Sequence, residues 1–182
     1  ALVDLGTGNP DGLVDAWHKT PDERKAYLAY VIGEAGCSRA VPLLRKALGA
    51  GDVTLQQMSA RALGRLGDPV VIGDLVACLG SAAENVQQAA SQALVGLGEQ
   101  FPAETFAALK SSFELGDAPR RRFAVVALAK IDHAEVPQRL GMAMKDAAPE
   151  VRRAAIKAFE GRDCGQLLGS ILLALTDEDR EV

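Results

Sequence analysis

Two histidines, three cysteines and a few acidic and basic runs are the residues of this chain whose types could do chemistry. His18 and His133 lie far apart, and neither has a Cys, Asp or Glu arrangement typical of a metal site; Asp132-His133 reads as part of an inter-helical turn. Cys37, Cys78 and Cys164 are odd in number and lack any Cys-x-x-Cys spacing, so neither a disulfide framework nor a zinc site is expected. They read as small buried or half-buried residues of a reducing, cytoplasmic compartment. Asp22-Glu23 and Asp177-Glu178-Asp179 fall at helix starts, where carboxylates oppose the positive end of the helix dipole. That is capping chemistry rather than acid–base catalysis. No Gly-x-Gly-x-x-Gly, phosphate-binding loop or Gly-x-Ser-x-Gly occurs, so neither a cofactor cradle nor a nucleophile elbow is expected.

One basic concentration remains. Arg120-Arg121-Arg122 is followed one helical hairpin later by Arg152, Arg153 and Lys157. If the fold brings them together, they offer a site for a carboxylate, a phosphate or an acidic helix. The chain as a whole is acidic, with net charge -4, which argues against a nucleic-acid module. Its apolar residues are spread evenly, with no run near the roughly 20 that a membrane-spanning helix needs.

The elements that would position these residues are repeats. Ile32, Leu63, Leu94, Leu128 and Phe159, read as closing the first helix of each unit, each open a similar phrase, at steps of 31, 31, 34 and 31 residues. The phrases are Ile-Gly-Glu-Ala-Gly, Leu-Gly-Arg-Leu-Gly, Leu-Val-Gly-Leu-Gly, Leu-Ala-Lys-Ile-Asp and a degraded Phe-Glu-Gly-Arg-Asp. In the helix after each turn, Leu44/Leu48, Leu75/Leu79, Leu109/Phe113, Leu140/Met144 and Ile171/Leu175 stand at i and i+4 on one face. Leu13 and Trp17 supply the same pair before them. The single longer step is expected to come from three extra residues in a loop around Gln100, Phe101 and Pro102.

Helices are expected near 11–19, 22–35, 38–49, 53–66, 69–80, 84–97, 102–115, 118–131, 134–146, 149–160 and 164–176. Gly36, Gly67 and Gly98 are expected to end helices in the left-handed conformation, and Pro21, Pro69, Pro102, Pro119 and Pro149 suit first-turn positions. A helical pair of this kind cannot bury its apolar face alone, so the pairs must stack into an all-α solenoid. Residues 1–182 read as one array of about five full repeats with partial units at both ends, an excerpt of a longer protein.

The phrases Val-Arg-Arg-Ala-Ala-Ile-Lys-Ala-Phe (Val151 to Phe159), Ala-Leu-Gly-Arg-Leu-Gly-Asp (Ala62 to Asp68) and Ala-Val-Pro-Leu-Leu (Ala40 to Leu44) resemble HEAT-like repeats of the short prokaryotic type found in phycobiliprotein lyases. The resemblance implies a right-handed α-α superhelix of antiparallel pairs, whose first helices line the concave side. It implies a non-enzymatic scaffold for a protein or peptide partner. Alternatives are a bilin lyase or chaperone-like factor, or a spacer or dimerisation module.

On the wheel of Val151 to Phe159, Glu150, Arg153, Ala154 and Lys157 oppose the apolar side. Transferred by register, three exposed rails result: Ala26, Gln57, Gln88, Arg122, Arg153; Tyr27, Met58, Ala89, Phe123, Ala154; and Tyr30, Arg61, Gln92, Val126, Lys157. The rails vary while the core positions stay aliphatic. Tyr27, Tyr30, Gln57, Met58, Arg61, Gln88, Gln92, Arg122, Phe123, Val126, Arg153 and Lys157 are therefore the expected partner-binding residues, since aromatic side chains, Met and Arg dominate binding hot spots. The glutamines would equally serve as plain helix-forming surface.

Overall fold

A computed structural model describes residues 10–158. Ten α-helices follow one another: α1 Pro10–Lys19, α2 Asp22–Glu34, α3 Val41–Ala47, α4 Val53–Leu66, α5 Ile72–Cys78, α6 Glu84–Gln100, α7 Pro102–Leu115, α8 Ala118–Leu128, α9 Val136–Ala143 and α10 Pro149–Ala158. No strand occurs among the described residues. The helix expected at 164–176, the Phe159 and Ile171/Leu175 anchors, and the partial end units lie outside them.

The even-numbered helices α2, α4, α6, α8 and α10 pack on one another in a first layer, and the odd-numbered ones lie behind them. Each of α3, α5, α7 and α9 packs against the first helix of the following pair. That arrangement is an α-α superhelix of stacked antiparallel pairs, as the repeats require. Its core consists of the anchors: Ile32, Leu63, Leu94 and Leu128 are buried, as are Leu13, Trp17, Leu44, Leu75, Leu79, Leu109, Phe113, Leu140 and Met144, while Leu48 is half-buried.

Local chemistry sets the helix ends. Asp52 caps α4 by accepting from the Thr54 and Leu55 amides, and Asp117 caps α8 by accepting from Arg120 N–H, each satisfying donors that the first turn leaves orphaned. Gly36 and Gly67 have φ of +67°, the left-handed stop expected of them. The helices expected at 38–49 and 69–80 begin instead with 3-10 turns, Ser38–Ala40 and Pro69–Val71.

Gly98 behaves differently from its expected role. It is buried inside α6, which runs on to Gln100, so the three extra residues lengthen this helix rather than a loop. A Cβ at Gly98 would stand 2.6 Å from Ile131 Cγ1, so close packing, and not a turn, accounts for the missing side chain.

Ser59 is fully buried on α4 and its Oγ has no hydrogen-bond partner among the described residues. Leu28, Ala90, Ala124 and Ala155 hold the equivalent positions. A desolvated, unpaired hydroxyl costs free energy that a methyl does not, and Ala is the better helix former. Ser59→Ala is expected to raise stability by about 1 kcal/mol, read as a higher urea midpoint with an unchanged slope.

Candidate functional site

The outward surface of the first layer carries the three rails, and the structure sorts them. Tyr27 (61% exposed), Tyr30, Arg61, Gln88, Gln92, Val126 and Lys157 are exposed. Gln57, Met58, Arg122 and Arg153 are half-buried, and Gln57 Oε1 accepts from Asn85 Nδ2 at 3.3 Å, tying α4 to α6.

Phe123 is a correction: it is only 7% exposed and belongs to the core. In the same register the smaller Ala89 and Ala154 line grooves, whereas the larger Phe123 is packed into the core. The Ser91 hydroxyl donates to the Phe123 carbonyl at 3.0 Å, and the Arg122 guanidinium lies 4.3 Å over the ring. Tyr27 occupies the same register yet is exposed.

Grooves lie at two of the first-layer junctions. A groove of about 380 Å³ between α4 and α6 is lined by Arg61, Gly64, Arg65, Ala89, Gln92, Ala93 and Gly96. Between α8 and α10 lie two adjoining depressions of about 300 Å³ each. One has Val126, Ala129, Ala154 and Ala158 with Lys130 and Lys157; the other shares Val126, Ala154 and Lys157 and adds Arg122, Phe123, Glu150 and Arg153. Arg65 and Lys130 were not among the expected site residues. They stand four positions beyond Arg61 and Val126, one turn further along the same face, so continuing the third rail by one turn finds them.

The basic concentration is largely turned inward. Arg121 grips Asp146 through Nε and Nη2 at 2.8 and 2.7 Å and donates Nη1 to the Gly116 carbonyl. Arg120 Nε donates to Ser112 Oγ, and Arg152 Nη1 to the Asp146 and Ala147 carbonyls. Arg122 reaches Glu84 at 2.5 Å. The triple arginine is thus mainly a fastener between helical pairs. On the neighbouring helices Glu34 pairs with Arg65, whose guanidinium lies 5.5 Å over the Tyr30 ring.

Among the described residues, no group of three or more His, Cys, Asp or Glu side chains could hold a metal. His133 stacks on Phe106 with ring centroids 3.9 Å apart, and its Nδ1 accepts the Glu135 amide, the structural turn role expected of it. Cys37 is buried; burial, with the Asp74 charge beside it, pushes the Cys78 thiol up to about 11, so at neutral pH it is not a reactive thiolate. Cys164 and the Asp177 to Asp179 run lie outside the described residues. No described helix is long and apolar enough to cross a membrane.

Residues 10–95 match the HEAT repeats family. No curated protein matches the sequence. Among solved structures, the complex of CpcE and CpcF of phycocyanin lyase from Nostoc sp. PCC7120 is similar at a TM-score of 0.58 and 20% identity, over 82% of this chain and 96% of that one. An engineered protein, Northeast Structural Genomics Consortium target OR329, is similar at a TM-score of 0.56 and 21% identity, over 96% of this chain and 92% of that one. At these identities the likeness is one of fold.

Proposed function

We propose, from the premise that this chain is a HEAT-like repeat solenoid, that it is a non-enzymatic scaffold holding a protein or peptide partner against its first-helix layer. The observation that carries this is the contrast within one repeated register. The core positions stay almost entirely apolar from pair to pair, whereas the exposed positions change in chemistry from Tyr27 and Tyr30 through Arg61, Gln88 and Gln92 to Val126 and Lys157. Packing alone gives no reason for that variation. Grooves at two of the helix junctions add concavity where an anchoring side chain would sit. Exposed tyrosines and arginine are residue types that supply binding energy when desolvated, and the resemblance to HEAT-like repeats implies a concave side formed by first helices, which supports this reading.

Replacing Tyr27, Tyr30, Arg61 and Val126 together by Ala removes exposed surface without touching the core. Crosslinking in cell extract is expected to give a discrete adduct with the wild-type chain that this variant loses, while its far-UV helicity stays unchanged. An adduct of equal yield from the variant would place the partner elsewhere.

The second reading, a role in attaching a tetrapyrrole to an acceptor protein, is favoured only by likeness to a lyase complex. Mixing the chain with a bilin and its acceptor and following visible absorbance decides it. Formation of a covalent adduct would displace the scaffold reading.

A further inference from the structure

The chain is acidic, yet the grooves on its first-layer face are not. Their lining carries Arg61, Arg65, Arg122, Lys130, Arg153 and Lys157 against the single carboxylate Glu150. The nearby carboxylates Glu34 and Glu84 are already engaged by Arg65 and Arg122. The Arg61, Lys130 and Lys157 side chains are exposed and make no ion pair or hydrogen bond among the described residues. Side chains of this kind cost little to desolvate only when an opposite charge arrives with the ligand. Between Lys130 and Lys157 the surface is apolar: Val126 is 43% exposed, with Ala129, Ala154 and Ala158 beside it.

We propose that the α8–α10 groove takes an acidic peptide segment of the partner, with one apolar side chain on the Val126–Ala154 floor and flanking carboxylates on Lys130 and Lys157. This inference rests on the scaffold reading and names the chemistry of the partner at one place. Charge complementarity selects the occupant. A basic segment would meet two unpaired lysines, and a neutral one would leave both unanswered. Nucleic acid is disfavoured because a long polyanion feels the whole chain, whose net charge is -4, and because no exposed aromatic stands at this groove for a base to stack on. The Arg61 groove lies two first-layer junctions away, about 20 Å at ordinary helix spacing, so a second acidic residue of the same partner can reach it.

The test uses the full chain and three fluorescein-labelled 12-residue peptides. One has a leucine flanked on each side by two glutamates, one has lysines in place of the glutamates, and one has serine in place of the leucine. A single-stranded oligonucleotide serves as competitor. In fluorescence anisotropy at 0.15 M salt the acidic leucine peptide is expected to bind, and the lysine peptide not to. The serine peptide should bind at least fivefold more weakly than the leucine peptide. Lys130→Glu with Lys157→Glu should weaken binding at least tenfold, as should Val126→Glu alone. Lys110→Glu on α7, an exposed position in the other layer, should leave affinity unchanged.

Equal binding by the lysine peptide, no effect of the double charge reversal, absence of acidic-peptide binding, or displacement by the oligonucleotide at equimolar amounts would each overturn the assignment. Loss of the crosslinked adduct in the four-alanine variant, together with any of these results, would leave the scaffold reading standing and remove only the acidic-segment inference.

Discussion

Gly64→Val is expected to destabilise the array by about 3 kcal/mol or more, visible as a large drop in urea midpoint. A Cβ at Gly64 would stand 2.5 Å from Ala93 Cβ and 2.8 Å from Ala93 Cα. No rotamer change relieves a clash with a backbone carbon, so α4 and α6 would have to move apart and give up packing along their length. Overpacking of this kind costs about 1–3 kcal/mol where a side chain can yield, and here the backbone is in the way. Helix propensity acts in the opposite sense, since Val is the better helix former by a few tenths of a kcal/mol. A loss of stability therefore reports the contact alone.

Gly33 meets Ala62 in the same manner on the previous helix pair, at 2.8 Å to Cα. Gly96, also inside α6, has nothing within 4 Å of its would-be Cβ. Gly96→Ala is the matched control and should stabilise by up to about 1 kcal/mol. Wild-type stability in Gly64→Val would mean that the first-layer helices do not approach this closely.

Asp146→Ala is expected to cost about 2–3 kcal/mol at pH 7. Its side chain is 11% exposed and joins three parts of the structure: Arg121 on α8 through two charge-assisted hydrogen bonds, the Ala148 amide leading into α10, and, through its own carbonyl, Arg152. Removing the carboxylate leaves the Arg121 guanidinium poorly compensated in a largely buried place, the costly way to break such a pair.

The same group sets a pH dependence. Burial is the largest single influence and works against ionisation. The hydrogen bonds from Arg121 and Ala148 and the charges of Arg121 and Arg152 together outweigh it, holding the carboxyl below its usual range. A carboxyl whose folded pKa is depressed contributes stability that is complete above its unfolded value, about 3.9. That contribution is lost as pH falls through the lower folded value. The difference in urea midpoint between wild type and Asp146→Asn should therefore be widest at pH 5 to 7 and shrink below about pH 4. A constant difference down to pH 2 would mean that the ion pair does not hold the hairpins together.

Much of the fold can be read from particular residues. The 31-residue recurrence of Ile32, Leu63 and Leu94 and the i, i+4 pairs in the second helices mark every buried anchor, because burial of one helical stripe imposes a period that survives in the text. The rails follow from the same wheel. Phe123 escapes it because a register says which way a residue points, not how near the next helix stands. Gly98 escapes for a related reason: glycine serves both left-handed turns and close helix contacts, and the letter is the same for both.

The arginines make the point most clearly. Spacing places Arg120, Arg121 and Arg122 beside the next hairpin but cannot say that Asp146 waits there to take Arg121, or that Glu84 at the start of α6 takes Arg122.

By itself, then, the sequence determined the class of fold, its repeat length, its core and the layer that faces outward, all of which depend on periodicity along the chain. Tertiary structure alone decided which junctions are open grooves, which cations remain unpaired in them, and where Phe123 and Gly98 belong. Those properties depend on distances between helices far apart in sequence, and such distances are set by the volumes of the side chains packed between them. Individual volumes at the junctions, Ala89 and Ala154 against Phe123, carry no repeat that could be recognised in advance.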